Sequence, residues 1–494
     1  MSYQKLEAKF KVVGDLEHAQ SMLSWDEAVM MPAGGGATRG EALATLAGLR
    51  HDMVSSDEVG DLLDSARCET TLDAWQTANV REIGKMWSKA RAVPTDLVMA
   101  RSRAATACEQ RWRQARPDND WDSIVEPLVE VLELTRLYAQ CLAESFNLTQ
   151  YDALIDVYEP GMTQAVIDPI FARLASALPS IVDNVMARQG KALELTGPFP
   201  DARQAELAQT LMATLGFDFE RGRLDTTHHP FCGGHPDDTR ITTRYNPGDF
   251  LESMFAVLHE TGHAMYEQGL PAAWRGQPVG GSGGMALHES QSLLMEMQAC
   301  RSHEFLDFAG PLVRSALRGD ANQPAWSNAN LYLLATRVQR GYIRVEADEL
   351  TYPLHIILRY EIEQALIGGE MEIGDVPDAW DEKMQGYLGL STTGNFTDGP
   401  MQDVHWFAGL FGYFPTYTLG ALTAAQLFAA ARDGIGDLDA SLGRGDFSTL
   451  LAWLRSNVHG RGSFTSTGEI VRDATGGPLG TDAFFDHVAR RYGR

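Results

Sequence analysis

The sequence predicts a mainly α-helical protein, a large helical body that carries one small β-hairpin. Three observations give this reading. Apolar residues recur at three- and four-residue spacing through residues 124–142, 167–186 and 331–366, the last with a break at Pro353. Proline and glycine punctuate the chain (Pro32 with Gly34 to Gly36, Pro160-Gly161, Gly197-Pro198, Gly368-Gly369) without any long low-complexity linker or internal repeat. Only residues 224–245 depart from helix. They hold a Gly-Gly-His-Pro-Asp turn followed by Asp-Thr-Arg-Ile-Thr-Thr-Arg-Tyr, which alternates well enough for a strand with Arg240, Thr242 and Arg244 on one face. The 494 residues are 44% hydrophobic and 22% charged, enough for a large core. The simplest organisation is one domain over residues 1–494, built as a single mass or as two helical lobes around a cleft.

Composition excludes some partners. Acidic residues outnumber basic ones 66 to 41, a formal net charge of -25, so binding to nucleic acid or an anionic membrane through a basic patch is not expected. The five cysteines (Cys68, Cys108, Cys141, Cys232, Cys300) are scattered and odd in number, which fits a reducing cytoplasm rather than a disulfide framework. The N-terminal residues mix both charge signs and do not read as a signal peptide. Residues 406–431 contain no charge, yet Pro415, several glycines and threonines, and Gln426 argue for buried core or pocket wall over a membrane span.

The chemistry centres on the helix after the hairpin. Asn246-Pro247 and a capping-box spacing of Asp249 with Glu252 predict its start, and Gly269 with Pro271 its end. Between them lies His-Glu-Thr-Gly-His. His259 and His263 stand four residues apart, so both imidazoles project from one helical face and can share a metal ion. Glu260 is placed to act as base on an attacking water. A hydrolytic zinc site takes three protein ligands and keeps one position open. The third is expected from a second helix after the glycine-rich residues 280–284, where Glu289, Glu296 and His288 all qualify. Such a donor set lowers the pKa of bound water to about 7 and polarises a peptide carbonyl, which is the chemistry of amide hydrolysis.

Six motifs in order resemble those of the thermostable carboxypeptidase Taq family of metallocarboxypeptidases: His229-Pro230-Phe231, Asp238 to Thr242, His259 to His263, His288 to Gln291, Ile343 to Asp348, and Gly399 to Trp406. Tyr151 to Leu154 and Tyr158 to Thr163 are similar to the family's N-terminal half. The resemblance implies Glu289 as third ligand, zinc that cobalt can replace, a helical fold with a deep cleft, a homodimer, and release of single C-terminal residues from peptides with broad specificity.

The other motif residues each admit a functional and a structural role. Arg344 and Arg240 are candidates for the substrate's terminal carboxylate, with a structural ion pair to Glu346, Asp348 or Glu349 as the rival role for Arg344. His229 and His405 are either donors to the substrate carbonyl or satisfied core histidines. Tyr413 and Tyr417 are further oxyanion donors or core aromatics. Glu267 is expected to support a ligand histidine, and Trp25-Asp26 with Met31-Pro32 to help the N-terminal helices cover the cleft. An oligoendopeptidase would share this zinc chemistry but cleave inside peptides.

Overall fold

The computed structural model describes residues 1–227 and 230–493. Four helices open the chain: α1 (Ser2–Val29), α2 (Gly36–Ser55), α3 (Asp57–Arg67) and α4 (Ala74–Ala92). Ser56 starts α3 by accepting from the Val59 N–H, and Asp73 with Gln76 forms a complete capping box on α4. Leu6, Phe10, Val59, Leu63 and Ile83 give these helices an apolar core of their own.

There follow α5 (Thr95–Ala115), α6 (Asp122–Phe146), α7 (Gln150–Tyr158), α8 (Gln164–Arg188) and α9 (Asp201–Leu215), then the sheet, then α10 (Phe250–Gly269) and α11 (Met285–Leu293). The chain continues with α12 (His303–Leu317), α13 (Asn328–Ala335), α14 (Tyr352–Gly368), α15 (Val376–Leu388) and α16 (Pro415–Ile435). It ends with α17 (Leu438–Leu442), α18 (Ser448–Asn457), α19 (Thr467–Thr475) and α20 (Asp482–Tyr492). Two large apolar cores organise them. One gathers α5 to α8, α14 and α15; the other gathers α9, α10, α12 and α18. α11 and α16 belong to both: Ala286, Leu419 and Leu422 face the first core, while Leu287, Leu427 and Phe428 face the second. A helix buried on two sides must be apolar nearly all round, which accounts for the uncharged stretch within residues 406–431. Among the described residues, the helix long and apolar enough to cross a membrane is instead α8, of which only 28% of the apolar window is buried.

The expected hairpin is part of a three-stranded mixed sheet. β2 (Phe231–His235) runs antiparallel to β3 (Asp238–Thr243), and β1 (Gly222–Thr226) pairs parallel to β3 on its other edge, in the order β1-β3-β2. β1 escapes a pattern search because Arg223 and Asp225 flank its one large apolar residue, Leu224. Ile241 of β3 packs with Val257 and Ala264, which seats the sheet along α10. Arg244 lies beyond β3 and pairs with Glu252 rather than extending the strand face.

Two helix expectations change. Residues 331–366 are not one helix interrupted at Pro353: residues 336–351 are irregular apart from a short 3₁₀ turn, Arg344–Glu346. Val338 and Leu350 are fully buried from this loop, so apolar residues reach the core there without a helix. Asp348 holds the loop by accepting from the N–H groups of Gln339, Leu350 and Thr351. Pro353 sits in the first turn of α14, where a missing N–H costs nothing. At α10, Asp249 caps as expected by accepting from Leu251 N–H, but Glu252 turns outward to Arg244 and Asn246, so the reciprocal half of the capping box is absent.

Candidate metal centre

α10 and α11 touch at Gly262, between the two motif histidines. A Cβ there would lie 2.5 Å from the Gln291 carbonyl oxygen and 2.6 Å from Ser292 Cα, so only glycine lets the α11 backbone rest on this face. The crossing brings Glu289 of α11 over His259 and His263. Glu289 Oε1 is 3.9 Å from His259 Nε2, and Glu289 Oε2 is 3.5 Å from His263 Nε2. The three donor atoms all lie within 4.8 Å of one another.

The hydrogen-bond network assigns the tautomers. His259 Nδ1 meets Glu296 Oε2 at 3.0 Å, so that nitrogen carries the proton and donates it. His263 Nδ1 is 3.1 Å from the His288 carbonyl oxygen and 2.7 Å from His288 Nδ1, both acceptors if His288 donates through Nε2 to Glu267 Oε1 at 2.9 Å. Both ligand histidines therefore engage Nδ1 elsewhere and turn Nε2 toward Glu289, where a metal would replace any proton on His259 Nε2. Ligand bonds of about 2.0–2.2 Å in a tetrahedron put donors about 3.3–3.6 Å apart, so the cluster fits a zinc ion with small adjustments. Residues 294–299 form a π-helix, whose wider turn carries Glu296 behind His259 instead of beside Glu289. Glu296 is held there by Arg301 Nη2 at 2.6 Å. Glu267 supports His263 only at one remove, through His288.

Charge is concentrated here. Glu260, Glu289 and Glu296 are each 8% exposed. Burial opposes the His259 imidazolium, but the Glu296 hydrogen bond and the fields of Glu289 and Glu260 push its pKa up to about 10. Burial holds His263 down to about 4. Burial, with the nearby Glu289 charge, raises Glu260 to about 7 against the pull of His259. Three carboxylates packed around two imidazoles favour a divalent cation, which neutralises them and opposes the rise at Glu260.

A second group of residues adjoins the cluster. Arg344 is 6% exposed and forks onto Asp403, with Nη2 2.8 Å from Oδ1 and Nε 3.1 Å from the same oxygen. Its carboxylate partner is thus Asp403 rather than Glu346, Asp348 or Glu349. Arg359, fully buried, reaches the other Asp403 oxygen at 2.6 Å. Two cations share one anion, so the trio keeps one net positive charge; burial opposes the Glu289 charge, but His263 and His259, with a smaller pull from Arg344, hold its pKa below the ordinary value. The Arg344 guanidinium stacks 4.8 Å from the Tyr417 ring centre, and Tyr417 Oη is 3.1 Å from His405 Nε2. Tyr413 packs 5.6 Å from the His405 ring. Burial drives His405 down to about 3, so its imidazole is neutral, and its Nδ1 is buried without a partner. Burial also holds Tyr417 and Tyr413 well above the ordinary phenol value. Glu363 braces this segment from α14 by accepting from Trp406 Nε1 at 2.8 Å, Gly412 N at 3.0 Å and Tyr151 Oη at 2.6 Å.

Arg240 stands apart. It forms a two-pronged pair with Asp238 at 2.7 and 2.8 Å, and its guanidinium lies 4.5 Å from the Trp25 ring centre. Trp25 thereby joins α1 to the sheet, as do Ser21 to the backbone of Gly234 and His18 stacked on His235, while Asp26 pairs with Arg39 inside the N-terminal helices. His229 lies outside the described residues. Sequence reasoning missed Arg359, Tyr352, whose hydroxyl is 3.4 Å from Arg344 Nη1, and the role of Asp403; only Asp403 carried a signal, its place between Gln402 and His405 in the last motif.

The comparisons agree with this geometry. The family model described as carboxypeptidase Taq (M32) metallopeptidase matches residues 5–492. Thermostable carboxypeptidase 1 of Thermus thermophilus is 37% identical, over 99% of this chain and 98% of that protein. Carboxypeptidase 1 of Bacillus subtilis is 34% identical, over 98% of this chain and 96% of that protein. The solved structure of Trypanosoma cruzi metallocarboxypeptidase 1 superposes with a TM-score of 0.97 at 39% identity, covering 99% of both chains. With its histidine and glutamate donors brought together as that chemistry requires, the chain belongs to the carboxypeptidase Taq (M32) family of metallopeptidases.

Proposed function

We propose that this zinc carboxypeptidase removes single residues from peptide C-termini, with Glu260 as base and the Arg344–Arg359–Asp403 trio as the seat of the terminal carboxylate. The observation that carries the reading is the convergence of two imidazole Nε2 atoms on Glu289, with a buried glutamate beside the first of them. His259, His263 and Glu289 hold the metal, which when bound supplies Lewis acidity and an acidified water. Glu260, raised by burial, accepts the water proton and returns it to the leaving amine. The neutral imidazole of His405 and the protonated phenol of Tyr417, linked by one hydrogen bond, leave one free proton that donates to the carbonyl oxygen as its charge grows. His229 is a further donor in the same role, and Arg240 the alternative carboxylate partner. Asp403 fixes the Arg344 fork, while the second cation leaves charge to spare for a substrate anion. The same donor set accepts cobalt. Five free cysteines suit a cytoplasmic enzyme, and we take residues 1–494 to be one catalytic unit that assembles as a homodimer.

Two variants separate the roles. Glu260→Gln keeps its metal and loses roughly 10²–10⁴-fold in turnover, whereas Glu289→Ala loses metal. Elemental analysis of both proteins checks this; a metal-replete Glu289 variant beside a depleted Glu260 variant would reverse the assignment.

A further inference from the structure

Glu159 closes α7 and is 1% exposed, yet none of the chemistry above uses it. Its Oε2 accepts from the Ala286 N–H at 2.7 Å, and the Leu287 N–H and the Thr467 hydroxyl stand near the carboxylate and favour its charge. Ala286 and Leu287 are the second and third residues of α11, whose N–H groups have no partner within the helix. A helix ordinarily meets this need with a serine, threonine or aspartate at its own cap. α11 has Gly284 there, and a Cβ at Gly284 would overlap the Glu159 carboxylate. The capping group thus comes from a distant part of the chain.

The same few residues are tied in two further directions. Gly284 N–H donates to Thr467 Oγ1 at 3.1 Å, and Gly283 N–H donates to Tyr266 Oη at 3.0 Å. Tyr266 lies on α10 less than one turn past His263, and Thr467 is the first residue of α19. A local serine cap would satisfy the same N–H groups without burying a carboxylate far from water, which is costly. A remote carboxylate achieves something a local cap cannot, since it fixes where the helix starts relative to its neighbours. Glu289 lies one turn beyond Ala286, so its reach toward the two Nε2 atoms follows from that starting point.

We propose that Glu159 is a positioning residue of the metal centre: by holding the first turn of α11 it sets the distance from Glu289 to the histidine pair. The proposal rests on Glu289 being a metal ligand. It is tested by chelator competition for zinc on the full chain, comparing wild type, Glu159→Gln, Thr467→Val and Glu289→Ala well below the melting temperature of each. Glu159→Gln should weaken zinc binding by roughly tenfold or more, as loss of support behind a ligand does, and lower kcat with KM nearly unchanged. Thr467→Val should move the same way by less, and it decides the matter should Glu159→Gln fail to fold. Wild-type zinc affinity in the folded Glu159 and Thr467 variants, with only a lowered melting temperature, would make Glu159 an ordinary cap and overturn the proposal. Wild-type affinity in Glu289→Ala would instead remove the ligand assignment on which it stands.

Discussion

Gly420 of α16 lies against the side chain of Glu289: a methyl group on Gly420 would come within 2.7 Å of Glu289 Cγ and 2.8 Å of its Cβ. The third ligand of the metal centre is therefore backed by a surface with no side chain. This predicts an uncommon outcome for Gly420→Ala. Alanine is the better helix former by about 1 kcal/mol, so the helix itself does not suffer. The added methyl displaces the Glu289 carboxylate, so zinc affinity falls by roughly tenfold or more while the fold persists. Circular dichroism and chelator competition on one sample check it; unchanged affinity would mean that Glu289 has room to turn aside.

Asp403 holds two buried guanidiniums together, and its side chain is only 10% exposed. Removing one partner from a buried ion pair leaves charge stranded without compensation, at a cost of about 3–5 kcal/mol. Asp403→Asn is expected to lose stability of that order, with Arg344 and Arg359 repelling each other across the amide. Chemical denaturation compares it with wild type. A loss below about 1 kcal/mol would show that water reaches the trio.

Glu349 joins the loop of residues 336–351 to the C-terminal helix. It accepts from His487 Nε2 at 2.8 Å, Arg491 Nη1 at 2.8 Å and Tyr492 Oη at 2.7 Å. Burial opposes its charge, yet Arg491 and His487 hold its pKa far below the ordinary value. A carboxylate whose pKa is lower folded than unfolded adds stability above its unfolded pKa of about 4.3, and that stability drains away as pH falls further. Wild type should therefore lose stability on acidification below about pH 4.3 more steeply than Glu349→Gln. Urea denaturation at stepped pH reads the gap between the two, which should narrow as pH falls. A gap independent of pH would place the Glu349 contribution in packing rather than charge.

The histidine pair, Glu260 and the helix beneath them were legible because their spacing is fixed by one helix and its turn of 3.6 residues. Glu289 was one of three candidates on local grounds, since the crossing that selects it depends on Gly262 and Gly420, whose meaning is visible only when three helices are in place. The loop of residues 336–351 read as helix because its apolar residues, Val338 and Leu350 among them, stay buried while the backbone is irregular. Arg344 was read beside its sequence neighbours, whereas its partner Asp403 arrives from another segment. Long-range ion pairs leave no periodic trace in a sequence, and neither does a cap such as Glu159, which serves a helix more than a hundred residues away.

We propose that this metal centre works at the free end of a peptide, with the positive trio beside it seating the terminal carboxylate. Amidating that end removes the substrate's charge and leaves the guanidinium without its added partner, a loss of roughly 2–5 kcal/mol. Each 1.4 kcal/mol is about tenfold, so cleavage falls by more than an order of magnitude. The measurement is mass spectrometry of the zinc-loaded protein acting on one peptide as free acid and as C-terminal amide at equal concentration. The expected result is a ladder of single-residue losses from the free acid and little from the amide. Equal rates on both, with internal fragments in each digest, would contradict it.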